Sequence, residues 1–583
     1  MSYSAPIKLM RAMLQHAADI ETLSNLDAFA EFDTDLMDAV LDEAGKLARD
    51  IVAPTNQPAH EFGARLGDEG VTAAPMLKAG FEALRDGGWM SLSAQPEFGG
   101  QQLPRPLSLA FMEMLNGANT AFALAPILTL GAIDALQAHA SDDLKQRFLP
   151  KMISGEWSGA MALTEPQAGS DVGALKTRAA PNDDGSYAIT GQKIYITWGD
   201  HDHLDNVIHL VLARLPDAPQ GSKGISLFAA SKYHIEDDGT LAGRNSFKCI
   251  GLEKKLGIHA SPTCVMEYDR ARAHLIGEPH KGLAAMFTMM NAARLHIGVQ
   301  GVGVSEAAAQ SAIAYAAERR QFNTLLQDMP DIQRMIARIR ATTLASRAIC
   351  YATGFAADMA EYAADADTRK AAKQREDLLT PIAKAWSTDR SVEACSLAVQ
   401  VHGGMGFMSE TLACQLYQDI RITPIYEGTN GIQALDLIGR KLASDKGAGM
   451  AALLDDVRKT AERARTYGHA PFTRIAARLS AAADALSDAT DWMLAAQRSD
   501  TARAQAGATA YLKLAGDVAG GYFLTRAALA MAADEADPTS GEVIATAAFF
   551  AEDILSTAPG QLASISCAAD ILTENADILS GKA

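Results

Sequence analysis

Apolar residues recur at intervals of three and four over most of this chain, which is the spacing of one face of an α-helix. The segment 35–44 shows the pattern clearly, and it continues to about Trp157, apart from a Gly- and Pro-rich loop at 95–100. Helical spacing resumes at about Gly282 and runs through Lys441. We therefore predict two long helical blocks.

Between about Gly159 and Ile276 the pattern changes to short apolar segments of strand length. Tyr187–Thr190, Val207–Ala213 and Gly224–Phe228 are separated by clusters of Asn, Asp, Gly and Pro, which favour turns. The sequence thus predicts a mainly α protein with a β domain inserted between the helical blocks.

A segment rich in Lys, Asp and Gly at 441–449 is predicted to be a linker, and the Ala-rich residues after it favour helix. No internal repeat and no sustained heptad pattern occurs. The predicted organisation is an N-terminal extension at 1–34, a helical N-terminal domain at 35–158, a β domain at 159–276, a helical bundle at 277–441 and a C-terminal helical extension at 450–583.

The composition is that of an acidic globular protein. The 583 residues include 52 Lys and Arg against 70 Asp and Glu, a formal net charge of −18, and 48% are hydrophobic. Because nucleic-acid affinity depends largely on clustered cations, this balance argues against a nucleic-acid partner. The length allows roughly three or four domains or layers.

Cysteine use and hydropathy bear on the compartment. The six cysteines form no C-x-x-C pair and no zinc-ligand spacing, so we expect buried thiols, no disulfide and no metal site. The N-terminus lacks the apolar core and cleavage signal of a secretory leader. The most apolar stretch, Ala121–Ile133, is interrupted by Pro126 and is shorter than the roughly 20 residues that span a bilayer. The expectation is a cytoplasmic protein without a membrane span.

The segment 425–433, Ile-Tyr-Glu-Gly-Thr-Asn-Gly-Ile-Gln, places a lone carboxylate, Glu427, at a Gly-broken turn between apolar stretches. A glutamate between an aromatic residue and a glycine can be held away from bulk water with its backbone N–H free for a ligand. Such a carboxylate suits a general base acting on a weakly acidic C–H bond, and burial by a ligand would raise its pKa. The alternative is a solvated glutamate in a helix cap.

A second motif begins the β domain. A strand that stops at 164–166 (Thr-Glu-Pro) and turns through 169–171 (Gly-Ser-Asp) exposes backbone N–H groups and hydroxyls. These groups could bind the polar edge of a planar heterocycle and a diphosphate, and the alternative is an ordinary β-turn with Asx capping. Further on, Tyr195 and Thr197 are expected on one strand face, because alternate residues share a face, where they could flank a flavin ring.

Over about residues 35–441 the chain resembles the acyl-CoA dehydrogenases. The motifs that carry the resemblance are, in order, Thr164-Glu165-Pro166, Gly169-Ser170-Asp171, Gly191-Gln192-Lys193, Glu318-Arg319-Arg320-Gln321-Phe322, Gln400-Val401-His402-Gly403-Gly404 and Tyr426-Glu427-Gly428-Thr429. Within the family, the extended N-terminus, the run 427–437 and the C-terminal extension are most similar to the 3-methylmercaptopropionyl-CoA dehydrogenase subgroup. With no G-x-G-x-x-G or Walker-type loop, neither a Rossmann NAD site nor a P-loop is supported.

The resemblance implies an α-helical N-terminal domain, a middle β-barrel-like domain and a C-terminal four-helix bundle, followed by the extra helical domain. It also implies FAD as cofactor, lying between the β domain and the bundle. The cofactor-binding residues implied in one subunit are Met161, Leu163, Thr164, Gly169, Ser170, Tyr195, Thr197 and Thr429. Those implied to hold the ADP end from the neighbouring subunit are Arg319, Phe322, Gln400 and Gly404. A homo-oligomer, most simply a dimer, is therefore expected.

The implied reaction is α,β-dehydrogenation of an acyl-CoA thioester to the trans-2-enoyl-CoA. Glu427 would remove the α-proton while a hydride leaves the β-carbon for FAD, and the Glu427 backbone N–H with a flavin hydroxyl would bind the thioester oxygen. Ser170, Asn291, Arg294 and Tyr426 are implied to contact the substrate. Electron-transfer flavoprotein is the implied electron acceptor.

Two polar residues near these motifs have other interpretations. Arg294 could form a buried structural ion pair instead of approaching the substrate, since arginine is seldom buried without a partner. His402 could be mistaken for a base, but its place beside Gly403 and Gly404 favours a packed or backbone-bonded side chain.

The resemblance points to 3-methylmercaptopropionyl-CoA as substrate, converted to 3-methylthioacryloyl-CoA in dimethylsulfoniopropionate breakdown. The alternative within the fold is a short- or medium-chain fatty acyl-CoA dehydrogenase of β-oxidation. From another class comes a DNA-associated stress-response flavoprotein, although acids outnumber bases in the C-terminal extension. A third possibility is a flavin-free scaffold, but such a protein would need neither Glu427 nor the flavin motifs.

Overall fold

The computed structural model describes residues 3–533 and 538–582, so the predicted spans 1–34 and 450–583 each include a few residues outside the described part. The α-helices are α1 Ile7–His16, α2 Thr34–Leu47, α3 Asn56–Phe62, α4 Lys78–Asp86, α5 Arg105–His139, α6 Asp142–Ile153, α7 Gly282–Glu318, α8 Pro330–Tyr362, α9 Ala366–His402, α10 Leu412–Ile420, α11 Asn430–Asp436, α12 Ala448–Tyr467, α13 Ala470–Ser499, α14 Thr501–Met531, α15 Pro538–Asp553, α16 Ala558–Glu574 and α17 Ala576–Leu579.

Strands are concentrated between α6 and α7, as the sequence predicts. They are β1 Arg65–Gly67, β2 Gly70–Thr72, β3 Trp157–Ala162, β4 Arg178–Pro181, β5 Tyr187–Thr197, β6 Asn206–Arg214, β7 Ile225–Ser231, β8 Tyr233–Ile235, β9 Leu241–Arg244, β10 Phe247–Leu252, β11 Thr263–Ile276, β12 Arg320–Gln321 and β13 Thr324–Leu325. The mainly α architecture with an inserted β domain is confirmed.

The β domain is a seven-stranded sheet that closes on itself. The strand order is β10-β11-β5-β4-β6-β3, and β7 joins β6 to β11, so β11, β5, β4, β6 and β7 form a ring. The contact between β4 and β6 is the shortest in the ring, because these two strands share a single pair of facing residues, Arg178 and Arg214. Side chains inside and outside this ring form two apolar clusters, one facing α5 and α7. The barrel-like expectation fits this topology.

Long helices from before and after the β domain in the sequence form one main core. Helices α7, α8 and α9 pack along one another, and α5 packs on α7. Helix α5 is mostly apolar and is buried along almost its whole length, which is typical of a helix inside a large core. It is the one helix in the described ranges long and apolar enough to cross a bilayer, and 83% of its most apolar window is buried inside the protein.

Helix α5 differs from the sequence prediction at Pro126, where we expected the apolar stretch to be interrupted. The helix continues through Pro126, and its irregular point lies earlier, at Asn119, with φ −160° and ψ 98°. The Asn119 side chain accepts a hydrogen bond from the Phe122 N–H at 3.1 Å and donates to Thr55 Oγ1 at 3.0 Å. These two bonds restart the helix after the kink, as a cap would.

The N-terminal extension packs on the helical core. Tyr3 is buried, and its ring lies against Gly117 on α5, where a Cβ would come within 2.4 Å of the ring. The Ser4 N–H donates to Gln310 on α7 at 3.0 Å, and the Gln310 amide donates back to the Ser4 carbonyl at 2.7 Å. Gly117 is therefore needed for close approach of the extension.

The segment at 441–449, predicted to be a linker, is mostly helical. A π-helical turn, Leu437–Leu442, runs into it, and α12 begins at Ala448. Asp445 accounts for the difference, because its carboxylate accepts hydrogen bonds from the Gly447 and Gly449 N–H groups at 2.9 and 2.7 Å. It thereby caps the start of α12 directly after a short turn.

The C-terminal helical extension docks on the bundle through α14, which contacts α8, α9 and α11. Gly516 on α14 lies directly against the Trp386 side chain of α9, so close that a Cβ would approach it to 2.3 Å. The buried Asp517 carboxylate accepts the Trp386 indole N–H at 2.8 Å. Lys513 and Gln561 donate to the same carboxylate, at 2.8 and 2.9 Å. The extension is thus part of the helical core.

Candidate active site

Glu427 lies in the loop between α10 and α11, in a backbone conformation unusual for a side chain of its size. Its φ is 54°, and that of Gly428 is 81°. A Cβ at Gly428 would come within 2.9 Å of Gln433 Nε2, so glycine is required there by both conformation and space. Thr429 then starts α11, its hydroxyl accepting the Ile432 N–H at 3.2 Å. The Glu-Gly-Thr motif therefore encodes a sharp turn followed by a helix cap.

The Glu427 carboxylate has little contact with polar groups. Its Oε2 is buried and has no hydrogen-bond partner in the described part of the chain, although the residue as a whole is only partly buried. Burial raises the pKa of Glu427 to about 7, and the charges of Arg294 and Lys384 limit the rise. A carboxylate in this state is a stronger base than a solvated one and can exchange a proton near neutral pH.

Arg294 and Asn291 lie on α7, and the charge of Arg294 acts on this carboxylate. Arg294 Nη1 is 3.5 Å from Asp436 Oδ2 on α11 and donates to Asn291 Oδ1 at 3.1 Å. This contact is the buried ion pair that the sequence analysis gave as the alternative interpretation of Arg294. The arginine also acts electrostatically on Glu427, and its Nε is buried without a partner among the described residues.

Tyr426 anchors the other side of the loop. Its hydroxyl hydrogen-bonds to Gln300 Oε1 on α7, and the Gln300 amide donates to Thr120 Oγ1 on α5 at 2.8 Å. Thr120 in turn donates to Asn116 Oδ1 at 3.0 Å. A buried polar chain thus connects the Glu427 loop to the N-terminal helical domain through α7.

Lys384, on α9, is a residue that sequence reasoning missed. Its side chain is fully buried, and its ammonium donates to the Gly428 carbonyl at 2.9 Å and to Asn430 Oδ1 at 2.8 Å. Burial lowers the pKa of Lys384 to about 7, against the opposing charges of Asp389 and Glu427. A lysine within the apolar run 378–386 was the available signal, because lysine is almost never fully buried without a specific partner.

The Thr-Glu-Pro motif forms a tight turn at the end of β3. Glu165 and Ala168 exchange backbone hydrogen bonds of 3.0 and 2.9 Å. The Glu165 carboxylate accepts from Lys193 Nζ at 2.8 Å, from the Lys176 and Thr177 N–H groups at 2.6 and 3.0 Å, and from the Gln167 amide at 2.7 Å. Burial opposes ionisation of Glu165, but Lys193 and these hydrogen bonds outweigh it and lower the pKa to about 2. The motif therefore holds the turn rigid.

The other predicted residues of this turn differ in exposure. Leu163 is buried, Met161 and Thr164 are partly buried, and Gly169 and Ser170 are exposed. A Cβ at Gly169 would meet nothing within 4 Å. The Thr164 carbonyl accepts the Ile194 N–H at 2.9 Å, which fixes the turn against β5. The turn thus presents an open polar surface at 169–170 above an apolar base.

Strand alternation, from which we expected Tyr195 and Thr197 to share a face, is broken at Tyr195. The pairing of β5 with β11 shifts by one residue at Val265, so that two residues of β5, Ile194 and Tyr195, lie opposite Val265 alone. Tyr195 takes φ 60° in this bulge and is 59% exposed, whereas Thr197 is partly buried. The bulge, and not the two-residue period, decides where the Tyr195 ring points.

The four residues assigned to the ADP end lie elsewhere, at the C-terminal ends of α7 and α9. The His402 ring stacks on Tyr315 with 4.5 Å between ring centroids, its Nδ1–H donates to the Ala398 carbonyl at 2.7 Å, and its Nε2 lies 3.2 Å from Ser311 Oγ. The packed interpretation of His402 is confirmed. Arg319, Phe322, Gln400 and Gly404 are all exposed.

Comparison with known proteins gives a consistent assignment along the chain. Residues 37–156, 160–271 and 280–443 match the models described as the N-terminal, middle and C-terminal domains of acyl-CoA dehydrogenase. Residues 453–575 match the model described as acetyl-CoA dehydrogenase C-terminal like. Together the four models cover the two helical blocks, the β domain and the C-terminal extension.

Individual relatives agree with the models. The chain is 42% identical over 568 residues to a 3-methylmercaptopropionyl-CoA dehydrogenase of Ruegeria pomeroyi, covering 95% of this chain and 96% of that protein. It is 36% identical over 455 residues to a butyryl-CoA dehydrogenase of Syntrophomonas wolfei, 74% of each chain. The fold is similar to that of an acyl-CoA dehydrogenase of Bacillus anthracis complexed with FAD, with TM-score 0.76, 21% identity, and coverage of 92% and 88%.

Proposed function

The chain belongs to the acyl-CoA dehydrogenase family, and from this membership we propose that it uses FAD to oxidise 3-methylmercaptopropionyl-CoA to 3-methylthioacryloyl-CoA. The chemical class, an oxidoreductase with acyl-CoA dehydrogenase activity, follows from the family models and from the relatives with 42% and 36% identity. The substrate proposal is supported by the relative that matches nearly the whole chain, including the C-terminal extension.

One observation carries the chemical part of the proposal: the buried, unpartnered Oε2 of Glu427. A base for a thioester α-proton must be shielded from water and must not be neutralised by a close hydrogen-bonded cation. Glu427 meets both conditions, and its pKa of about 7 lets it accept the proton and release it again at neutral pH. Glu427 takes the proton from the carbon next to the thioester carbonyl.

The same loop offers a donor for the thioester oxygen. Within the described residues, the Glu427 backbone N–H makes no hydrogen bond to the protein, while the loop carbonyls of Glu427 and Gly428 accept from the Gln433 amide at 3.3 and 3.4 Å. The N–H is thus available to stabilise charge that develops on the carbonyl oxygen as the α-proton leaves. One such donor is worth about 3 to 4 kcal/mol of activation free energy.

The residues of the β-domain turn fit FAD. The open polar surface at Gly169 and Ser170 suits the polar edge of the flavin and the diphosphate, and the 59% exposed Tyr195 offers an aromatic face. Thr164 and Leu163 supply a hydroxyl and an apolar contact at the base of the turn, and Thr429 caps the helix after Glu427. When bound, FAD supplies the acceptor for the hydride that leaves the β-carbon.

A homodimer completes the cofactor site in this proposal. Arg319, Gln400 and Gly404 are exposed, and Phe322 is 93% exposed, which is unusual for a large apolar side chain. Arg319 presents a fork of donors that matches pyrophosphate oxygens. These residues would hold the ADP end of the FAD bound by the second copy, so FAD content should rise and fall with dimer content.

The remaining parts of the proposal concern the cellular setting. Electron-transfer flavoprotein would reoxidise the bound FAD, the protein would act in the cytoplasm, and the reaction would serve dimethylsulfoniopropionate breakdown. The acceptor and the pathway are proposed from the family resemblance, and the relative with 42% identity supports the thioether substrate.

A butyryl-CoA dehydrogenase is the second candidate, because a protein of that name is 36% identical over 74% of the chain. The substrates of the two candidates both have short acyl chains. They differ at the γ position of the acyl group, which is sulfur in the thioether substrate and a methyl carbon in butyryl-CoA. Steady-state turnover of the purified holoenzyme on 3-methylmercaptopropionyl-, butyryl- and octanoyl-CoA separates them. We expect the highest kcat/KM on the thioether substrate, and a clear preference for octanoyl-CoA would overturn the assignment.

A further inference from the structure

Lys384 lies directly behind the Glu427 loop, on the side away from the protein surface. Its side chain is 0% exposed, and both of its hydrogen bonds go to the loop, one to the Gly428 carbonyl and one to Asn430 Oδ1. Neither goes to the Glu427 carboxylate, which keeps its Oε2 unpartnered. The lysine therefore holds the backbone around the base without neutralising it.

The loop depends on this contact because its conformation is unfavourable by itself. Glu427 and Gly428 are consecutive residues with positive φ, and a non-glycine residue in that region costs of order 1 kcal/mol or more. Asn430 ties the same loop to α9 through its amide, which donates to the Ala385 carbonyl at 3.1 Å and to Asp389 Oδ1 at 2.7 Å. Lys384 and Asn430 together clamp the turn onto one face of α9.

The charged groups around Lys384 and Glu427 support the same role for Lys384. The charged groups that act on Lys384 are Asp389, Glu427 and Arg294, and those that act on Glu427 are Arg294 and Lys384. Asp436 pairs with Arg294, so part of the arginine charge is already balanced. No carboxylate in the described structure lies within hydrogen-bond distance of Lys384, so its charge acts on Asp389 and Glu427 through space.

We propose that Lys384 is a positioning residue for the α-proton abstraction: its two hydrogen bonds hold the Glu427 loop in its strained conformation, and its ammonium acts on the carboxylate without binding it. This inference rests on the proposed role of Glu427 as base. It predicts that loss of the ammonium impairs proton abstraction more than substrate binding, and that the defect depends on pH. A purely structural lysine would change stability alone.

The first test is Lys384→Met in the FAD-loaded enzyme, which keeps the apolar stem and removes the charge and both donors. Without the cation, ionisation of Glu427 becomes less favourable, so the acidic limb of the kcat profile should move to higher pH by about one unit. At pH 6 to 7 we expect kcat to fall about 10- to 100-fold, with KM changed by less than about threefold and with partial recovery above pH 9.

Lys232→Met is the matched control. Lys232 is also buried, donates to the His201 carbonyl at 2.8 Å and pairs with Asp200 at 2.8 Å, but it belongs to the β domain and not to the Glu427 loop. Its loss should lower the thermal midpoint and leave the pH profile of kcat in place. If both variants lose activity equally at every pH, the effect is structural and the inference is wrong.

Asp389→Asn is an independent test that keeps shape and hydrogen bonding to Asn430. Asp389 favours the charged form of Lys384 and is not among the groups that act on Glu427 directly. Neutralising Asp389 should therefore weaken the Lys384 charge and move the acidic limb to higher pH. An acidic limb that stays in place or moves to lower pH would show that Lys384 does not transmit the effect of Asp389 to Glu427, which would contradict its role. This result decides the question even when Lys384→Met does not fold.

Glu427→Gln, measured beside these variants, separates the two levels of inference. If Glu427→Gln turns over substrate normally, the proposed function fails, whatever Lys384 does. If Glu427→Gln is inactive while Lys384→Met keeps the wild-type kcat profile, the base assignment stands and only the positioning role is lost.

Discussion

The turn that carries Glu165 and the loop that carries Glu427 each place a glutamate close to a buried lysine. Lys193 stands beside the first and Lys384 beside the second, and both lysine side chains are fully buried. Yet the pKa of Glu165 is lowered to about 2 and that of Glu427 is raised to about 7. Two similar pairs of residues thus have opposite electrostatic outcomes.

The difference lies in where the donors point. Lys193 donates to the Glu165 carboxylate itself, and two backbone N–H groups and an amide complete four hydrogen bonds. Lys384 donates instead to a carbonyl and an amide oxygen of the loop, so the Glu427 carboxylate stays without a donor on Oε2. Burial and a nearby cation are therefore not enough to predict whether a carboxylate is structural or reactive, and the number of donors reaching its oxygens decides.

Glu427→Gln removes the base from the loop and leaves its surroundings in place. The amide keeps the shape but cannot accept the α-proton, so we expect kcat to fall about ten-thousand-fold while acyl-CoA still binds. Anaerobic mixing of the FAD-loaded variant with a panel of acyl-CoAs should show no bleaching of the flavin absorbance. Normal bleaching would refute the base assignment.

Glu165→Gln should have its main effect on stability. It leaves the Lys193 ammonium buried without a counter-charge, which costs about 3 to 5 kcal/mol of unfolding free energy, and we expect a clear fall in thermal midpoint and in FAD retention. Turnover per bound FAD should fall less than about tenfold, because Glu165 does not take part in proton transfer.

The double variant Glu165→Gln with Lys193→Met is the control for this prediction. Removing both charges should restore much of the thermal midpoint, because no unpaired ion remains. If the double variant is no more stable than Glu165→Gln alone, the ion pair is not what holds the turn.

Periodicity predicted the layout of the fold well, since long helices and short strands have different apolar spacing. It was less reliable where one residue overrides the pattern. Pro126 lies inside α5 and does not end it, and the bulge at Tyr195 cannot be predicted from alternation. The helical turn over 441–449 depends on the Asp445 carboxylate reaching two N–H groups, which composition alone does not indicate.

At the site, sequence reasoning identified the residues that carry chemistry and missed those that hold them. Glu427 stands out because a carboxylate between Tyr and Gly at a turn is rare enough to suggest a role. Lys384 and Gln300 lie within helices, where a single polar residue is ordinarily assigned to a solvated face. Their contacts with the loop require three helices to be placed relative to one another, which one sequence does not specify.

The pH dependence of stability and activity should differ for the two glutamates. For Glu165, whose folded pKa lies below its ordinary value of 4.5, the stabilisation is present above pH 4.5 and is lost as pH falls towards 2. For Glu427, whose folded pKa lies above 4.5, the folded state binds more protons between pH 4.5 and 7, so stability falls as pH rises through that window and is then constant. Activity needs the carboxylate and should rise over the same range, about tenfold per pH unit below pH 7.

Thermal midpoints of the wild type and Glu427→Gln, measured from pH 5 to 8, test this directly. The variant should gain stability relative to the wild type as pH rises from 5 to 7, with no further gain above. A difference that does not vary with pH would show that Glu427 titrates at its ordinary value in the folded protein, and the contrast with Glu165 would disappear.

The smallest expected effect comes from Tyr426→Phe, which removes the hydroxyl that binds Gln300 and leaves the other anchor, Lys384, in place. One neutral hydrogen bond contributes about 1 kcal/mol, so we expect kcat to fall about fivefold with an unchanged pH profile. Tyr511→Phe loses a comparable buried bond, 2.9 Å to Thr490 in the C-terminal extension, and should leave kcat unchanged. A fall in kcat as large as that of Lys384→Met would mean that the loop is held chiefly from the Tyr426 side. The contrast with Glu165 would then depend on α7 and not on the lysine of α9.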